Sequence, residues 1–355
     1  MDDYVSSVAC VEKAASLARD IVDLHKLAHF EMRGWISNHP EALKLLPDDL
    51  LAAPHTPEVP VLAPPTNVRT LGLFWNASKD YLNFHPELPE EVPSTLSKRM
   101  ALSYVMRLFD PLGFLSPITI HGRILLQVAW ASKIDWDEPL PRDQIKLWQK
   151  WFKNTNEIQN LQIPRWHLFS DFAPIEQELH VFADASESAY ACVIYWRFTD
   201  AHGQIHISFI ASKARVAPNS PVSIARLELQ AGLMAVRLAA TVISEHNLKP
   251  SRRCFWTDSM NVLGWLRTEG RCLKTFVANR VGEISEGTKL EEWRWVPSEL
   301  NVADDATRAG KGISSRWLHG PSFLHSTPDT WPSETSSTLS DECLQEFKTP
   351  VTTDR

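Results

Sequence analysis

From Glu178 to Ala183 apolar and polar residues alternate directly into Asp184, and Tyr190 to Phe198 and Ile205 to Ile210 continue in β-branched and aromatic composition. That period of two, with the short connection Ala185-Ser186-Glu187-Ser188, predicts a three-stranded meander. After a Pro-containing loop from Ala217 to Pro221 the spacing changes: Ile224, Leu227, Leu229, Leu233, Val236 and Leu238 define a helix with Glu228 in its first turns. Residues 252–257 predict a short apolar strand whose exit is Asp258, followed by a helix from Asn261 to Leu266. Trp293 to Val296 gives a last strand, and Asp304 falls just inside the next helix. The expected fold class is α/β, a five-stranded mixed sheet with flanking helices.

Upstream, residues 11–29 read as an amphipathic helix through Val11, Ala15, Ala18, Val22 and Leu24, and Phe30 to Ser37 alternates as a strand. Pro47 to Pro65, rich in Pro and Ala, predicts an irregular loop. A helix from Thr95 to Phe109 is stopped by Asp110-Pro111-Leu112-Gly113, and Ser116-Pro117 starts another, together a helical hairpin. Pro139 and Pro141 precede a further helix from Arg142 to Phe152. Beyond about residue 326 the Ser, Thr and Pro content predicts a disordered tail. No internal repeat is visible, and 355 residues, 44% apolar, leave room for two or three domains with real cores.

Asp184, Glu228, Asp258 and Asp304 stand on strand, helix, strand end and helix start, and that placement gives them a common chemistry. Two unit charges about 4 Å apart repel by about 4 kcal/mol at an effective dielectric near 20, so four clustered carboxylates call for cations between them. Two divalent ions about 3.5–4 Å apart can activate a water on one side of a phosphodiester and stabilise the leaving oxygen on the other. The expected cofactors are therefore two Mg2+, with Mn2+ possible, and no small-molecule cofactor. The bland alternative, four ordinary surface carboxylates, sits poorly with acids placed directly after apolar strands.

A net charge of −7 does not advertise a nucleic-acid binder. Any groove for nucleic acid must be a local basic stripe, for which Lys213, Arg215, Arg226, Lys274 and Arg280 are candidates beside ordinary solvated charge. Most of the fourteen tryptophans, Trp130, Trp148, Trp256 and Trp295 among them, are expected in the core; Trp265 is the candidate for stacking on nucleic acid. The five cysteines show no CxxC pair or metal spacing, which fits a reduced intracellular protein. No signal peptide and no apolar run long enough to span a membrane is apparent.

The acid spacing and the phrases Arg226-Leu227-Glu228-Leu229, Thr257-Asp258-Ser259, Trp295-Val296-Pro297 and Asn301-Val302-Ala303-Asp304 resemble the ribonuclease H domain of BEL/Pao-type LTR retrotransposon polyproteins. Leu71-Gly72-Leu73-Phe74-Trp75-Asn76 and Phe109-Asp110-Pro111-Leu112-Gly113-Phe114-Leu115-Ser116-Pro117 resemble the reverse transcriptase segment before that nuclease, and Trp317-Leu318-His319-Gly320-Pro321-Ser322-Phe323-Leu324 the stretch after it. Met1-Asp2-Asp3 then looks like the end of a Tyr-x-Asp-Asp hairpin, with Asp2 and Asp3 a remnant polymerase metal site.

The resemblance implies a partial reverse transcriptase palm over residues 1–90 whose front half is missing, a helical thumb or connection over 91–165, a ribonuclease H-like domain over 173–312 and a post-nuclease segment over 313–355. It implies hydrolysis of the RNA strand of an RNA/DNA hybrid, leaving a 3'-hydroxyl and a 5'-phosphate, without polymerase activity. Asp184 would bridge both metals, Glu228 and Asp258 would complete the site near the leaving oxygen, and Asp304 would hold the ion that activates water. Many relatives carry a His in a loop before the last carboxylate, where this chain has only Ser298-Glu299-Leu300. The partners implied are the hybrid and the rest of the Pol polyprotein, with no membrane, in cytoplasmic particles or the nucleus.

Two further readings compete. An inactive Pol remnant would act only as a folded or nucleic-acid-binding module. A Pao-type aspartic peptidase would need Asp-Thr-Gly or Asp-Ser-Gly, and Asp258-Ser259-Met260 and Asp184-Ala185-Ser186 lack that Gly.

Overall fold

The computed structural model describes residues 4–52, 68–70, 73–86, 88–93, 95–165, 176–246, 249–308, 310, 312–334 and 341–348. Asp2, Asp3, Leu71 and Gly72 lie outside them. The chain divides into two units, Met1–Pro86 with Glu157–Trp166, and Glu87–Asn156 with His167–Arg355.

In the first unit, helix α1 (Val11–Leu27) buries Ala15 and Ala18 against Leu43 of α2 (Pro40–Lys44) and against Leu46, Leu51 and Trp35. The alternation from Phe30 to Ser37 does not make a strand; only Trp35 pairs, in an isolated bridge to Leu51. Phe30 is 67% exposed, so the alternation has no sheet to join. Strands β1 (Val68–Thr70), β2 (Leu73–Asn76), β3 (Tyr81–Asn83) and β4 (Ile163–Pro164) form a small antiparallel sheet. Arg165, directly after β4, forks onto Asp80 in the β2–β3 turn at 2.6 and 2.9 Å.

The second unit is built on a five-stranded sheet of β5 (Glu176–Ala185), β6 (Ala189–Thr199), β7 (Ile205–Val216), β8 (Arg252–Thr257) and β9 (Trp293–Trp295). Their order is β7-β6-β5-β8-β9; the first three are antiparallel and β8 and β9 run parallel to β5. Around the sheet stand α3 (Lys98–Met106), α4 (Ser116–Ala131), α5 (Arg142–Asn156), α6 (Ile224–Glu245), α7 (Met260–Leu266), α8 (Thr275–Gly287), α9 (Ser315–His319) and α10 (Asp341–Gln345). The expected α/β class and the mixed five-stranded sheet are present. Strand β7 runs six residues past the expected end at Ile210, which brings Lys213 and Arg215 onto the edge strand.

Strand β5 alternates in sequence yet is buried on both faces. Leu179, Val181 and Ala183 pack with Leu227 and Leu233 of α6. On the other face Phe182 lies 6.0 Å from Trp256 and 6.1 Å from Phe323, and His180 lies 5.1 Å from Trp331. A period of two thus separates two cores here rather than core from solvent. Helix α6, 22 residues with a mean hydropathy of 1.3 in its most apolar window, meets the length and composition of a membrane span, contrary to the sequence expectation. Its apolar side chains pack in the core of this unit.

Asp110 explains the Phe109–Pro117 phrase. Its carboxylate accepts from the backbone N–H groups of Gly113 (2.9 Å), Phe114 (3.0 Å) and Leu115 (2.7 Å), winding the turn that launches α4. That turn docks on the edge strand: Ser212 donates its N–H to Leu112 (2.8 Å) and its hydroxyl to the carbonyl of Gly113 (2.6 Å). Gly113 has φ +83°, and a Cβ there would collide with the carbonyl of Ser212. Trp317 donates Nε1–H to the carbonyl of Phe114 at 2.8 Å. Helices α3–α5 therefore belong with the large sheet and are not a module of their own. The region 173–312 lacks part of its own covering.

The tail expectation fails for the described residues after 326. Trp331 is 6% exposed, and the guanidiniums of Arg197 and Arg294 lie 5.4 and 5.6 Å from its ring. Arg267 pairs with Glu334, and Cys343 of α10 is fully buried. A Ser, Thr and Pro background hid a few apolar anchors whose partners lie far off in sequence.

Candidate active site

Strands β5 and β8 run parallel, so Asp184 near the end of one and Asp258 just past the other open at the same end of the sheet, where sites of open α/β folds gather. Helix α6 brings Glu228 there from one side, and the short 3-10 helix Val302–Ala306 brings Asp304 from the other. Each carboxylate is held by a nearby side chain. The hydroxyl of Thr307 donates to Asp184 and that of Ser259 to Glu228. Asp258 accepts from Ser298 Oγ at 2.5 Å and from Asn301 Nδ2 at 3.1 Å. Asp304 pairs with Arg308, one turn on.

Asn301, which caps the 3-10 helix Val302–Ala306, links two parts of the site. Fully buried, it donates through the same amide nitrogen to the carbonyl of Ala183 at 3.0 Å, so it ties the residue before Asp184 to the Asp258 carboxylate. Ser259, Ser298, Thr307 and Arg308 were not singled out from sequence. Asn301 and Ser259 stood inside phrases that mark the family, whereas nothing local distinguished Thr307.

Burial pushes the Asp184 carboxyl up to about 8, and the charges of Asp258, Asp304 and Glu228 push in the same direction, against the Thr307 hydrogen bond. That shared field is the electrostatic mark of the cluster. Among the described residues no group of three or more His, Cys, Asp or Glu side chains is arranged to hold a metal ion.

The sign of the resulting pH dependence follows. Raised from an unfolded value near 3.8 to about 8 in the fold, Asp184 contributes stability that is complete below the lower value and lost as pH rises through the higher. The metal-free chain should therefore lose stability relative to Asp184→Asn as pH rises from about 4 to about 8, and the two should run parallel above that. Melting both proteins in chelator across this range measures it. Parallel curves throughout would show that Asp184 does not hold the extra proton.

Asp305 does not sit at the surface against a helix dipole, as its position beside Asp304 suggests. It is 2% exposed, forked by Arg316 at 3.0 and 2.5 Å, and accepts from Ser314 Oγ at 2.7 Å. Adjacent helical residues do point about 100° apart, but Asp305 points into Arg316, eleven residues later and beyond any local rule. Asp305→Asn should cost about 1–3 kcal/mol of stability through the lost charged hydrogen bonds while the folded fraction keeps its function. Asp304→Asn should leave the melting temperature nearly unchanged and remove function; the reverse pair of results would exchange their roles.

The basic candidates separate into groups. Lys213 and Arg215 are exposed on edge strand β7. Arg226 and Arg280 converge on the ring of Phe276, at 4.8 and 3.5 Å from its centroid, with exposed Lys274 leading α8. Trp265 is 1% exposed and donates to the carbonyl of Cys343, so it is core and cannot stack on a ligand. Trp130 is the opposite case, 43% exposed where core was expected. A basic cleft at the start of β8 is distant along that strand from Asp258, and its arginines are already engaged, Arg253 with Glu292 and Arg252 with Glu178.

A mixed sheet in this order, with acids gathered at the exit of its parallel strands, defines a ribonuclease H-like α/β domain. Residues 97–259 match the family model described as Pao retrotransposon-like RNaseH-like domain. The matched stretch contains Asp184, Glu228 and Asp258; Asp304 lies after it. No curated protein matches the chain.

Three of the solved structures that are similar to parts of the chain illustrate the likeness. The N-terminal RNase H domain of rv2228c from Mycobacterium tuberculosis, in a fusion with maltose binding protein, is 11% identical over 35% of this chain and 85% of that one, with a TM-score of 0.25. RNase H1 from the halophilic archaeon Halobacterium salinarum NRC-1 is 14% identical over 36% and 89%, with a TM-score of 0.23. A foamy viral protease-reverse transcriptase in complex with double-stranded DNA is 14% identical over 65% of this chain, with a TM-score of 0.36, and the match spans 37% of the viral chain.

Proposed function

We propose that the chain is a retrotransposon-derived ribonuclease H that hydrolyses the RNA strand of RNA/DNA hybrids, with Asp184, Glu228, Asp258 and Asp304 as its catalytic acids. The observation that carries this reading is the placement of Asp184 and Asp258 at the same end of the parallel strands β5 and β8, with Glu228 of α6 and Asp304 of the 3-10 helix near enough for their charges to act on Asp184. Four carboxylates are hard oxygen donors of the kind that suit Mg2+ or Mn2+. In its chemistry, though not in its spacing here, the donor set suits a divalent pair. Bound there, such ions would neutralise the acids and supply Lewis-acid activation of water and stabilisation of the leaving oxygen.

The chain's own residues do the rest. Asn301 holds Asp258 in register with β5, and Thr307 and Ser259 fix the orientations of Asp184 and Glu228. Lys213 and Arg215, exposed on β7, offer charge to a phosphate backbone. The competing reading as an inactive module shares the fold and differs in chemistry alone. Presented in magnesium with matched hybrid, RNA duplex and DNA duplex, the full chain should cut only the RNA of the hybrid. Equal cutting of all three, or of none, would defeat the proposal.

A further inference from the structure

Residues 341–348 lie across the start of α8. Lys274 donates its N–H to the carbonyl of Glu346 and Lys348 donates to that of Cys272, both at 2.8 Å, while Cys343 seals the apolar end of α7. This places Glu346 beside the Phe276 notch, where Oε1 accepts from Arg226 Nε at 2.7 Å. Its other carboxylate oxygen is buried without a hydrogen bond, and so is Nε of Arg280. Arg226 therefore faces a carboxylate that answers only part of its donor capacity, while Arg280 on the same ring donates Nη1–H to the carbonyl of Phe276 at 2.9 Å and leaves Nε unused. Burial lowers the Arg280 pKa, and the neighbouring charges of Arg237 and Arg226 lower it further. A phosphodiester offers two unesterified oxygens and tetrahedral reach to the same donors. Arg226 stands two residues before Glu228 on α6, about 200° round the axis, so the notch and Glu228 lie on different faces of that helix.

We propose that Arg226 and Arg280, set on Phe276, form a phosphodiester site for the nucleic-acid backbone, and that Glu346 fills it in the free chain and must be displaced on binding. The site rests on the nuclease reading, which supplies the nucleic acid. The C-terminal segment is thereby an internal competitor: its backbone pairing holds the Glu346 carboxylate in the place of a phosphate, and displacing the carboxylate loosens that pairing.

The test uses the full chain carrying Asp184→Asn, which prevents cleavage, and measures binding of a labelled RNA/DNA hybrid in magnesium. Glu346→Gln should tighten binding by roughly 5- to 10-fold and steepen the dependence of log affinity on log salt by about one phosphate contact. Arg226→Ala should weaken binding, and combined with Glu346→Gln should erase the gain. Amide exchange gives an independent readout: adding hybrid should speed exchange at Lys348, and inorganic phosphate at the same phosphate concentration should do so far less. Unchanged affinity in Glu346→Gln, or a gain that survives Arg226→Ala, overturns the site and leaves the nuclease reading standing. An equal effect of inorganic phosphate overturns its assignment to nucleic acid. Absence of hybrid binding in every variant removes the nuclease reading, and this site with it.

Discussion

Asp258→Asn should reduce hybrid cleavage by orders of magnitude while the protein stays folded. The carboxylate lies past the end of β8 and accepts from Ser298 and Asn301, and an amide of nearly the same shape can keep one of those bonds through its oxygen. What it loses is the charge that would bind a divalent cation and help place it at the reacting phosphate. The stability cost is limited to part of a local hydrogen-bond set, about 0.5–1.5 kcal/mol. Cleavage rate and melting temperature, measured on one preparation, separate the two effects. Full activity in Asp258→Asn would remove this residue from the site, and a collapsed fold would make it structural.

The second large effect concerns the segment after the five-stranded sheet. Arg197 on β6 and Glu178 on β5 pair at 2.5 Å with side chains 2% and 0% exposed, and Arg197 also donates to the carbonyls of Leu324 (2.9 Å) and Ser326 (3.1 Å). One side chain thus neutralises a buried acid and fastens the strap that covers Phe182 and Trp256. Arg197→Ala leaves Glu178 with Arg252 at 3.3 Å and His180 at 3.5 Å, and leaves two carbonyls without their donor. Breaking a buried pair on one side costs about 3–5 kcal/mol, and a unit of this size loses about 2–4 °C of Tm per kcal/mol. Changing both partners, Glu178→Gln with Arg197→Met, should recover part of the loss because no uncompensated charge remains. A loss below about 1 kcal/mol in Arg197→Ala would mean that water reaches the pair.

These two variants also mark where the sequence was readable. Asp184, Glu228 and Asp258 could be placed because apolar runs of β5, β8 and α6 lead directly into or past them, and their positions depend on local period. Asp304 was harder, since it stands on a 3-10 turn with only the Asn301 phrase to announce it. What escaped notice depends on distant partners. Arg197 reads as a charge on an apolar strand, yet it meets Leu324 and Ser326 more than 120 residues later. Arg316 captures Asp305, and Trp331, Cys343 and Phe347 anchor a stretch whose composition predicts disorder. The false strand at Phe30–Ser37 has the same origin, because alternation makes a strand only when an edge exists to receive it.

The most direct test of metal-dependent hydrolysis is to let the purified chain act on RNA/DNA hybrid with magnesium in water enriched in oxygen-18, and to weigh the RNA products. The account predicts 3'-hydroxyl ends and 5'-phosphate ends carrying one heavy oxygen, formed only with the divalent ion. Absence of cleavage, or products ending in 2',3'-cyclic phosphate without heavy oxygen and formed equally in chelator, would contradict it.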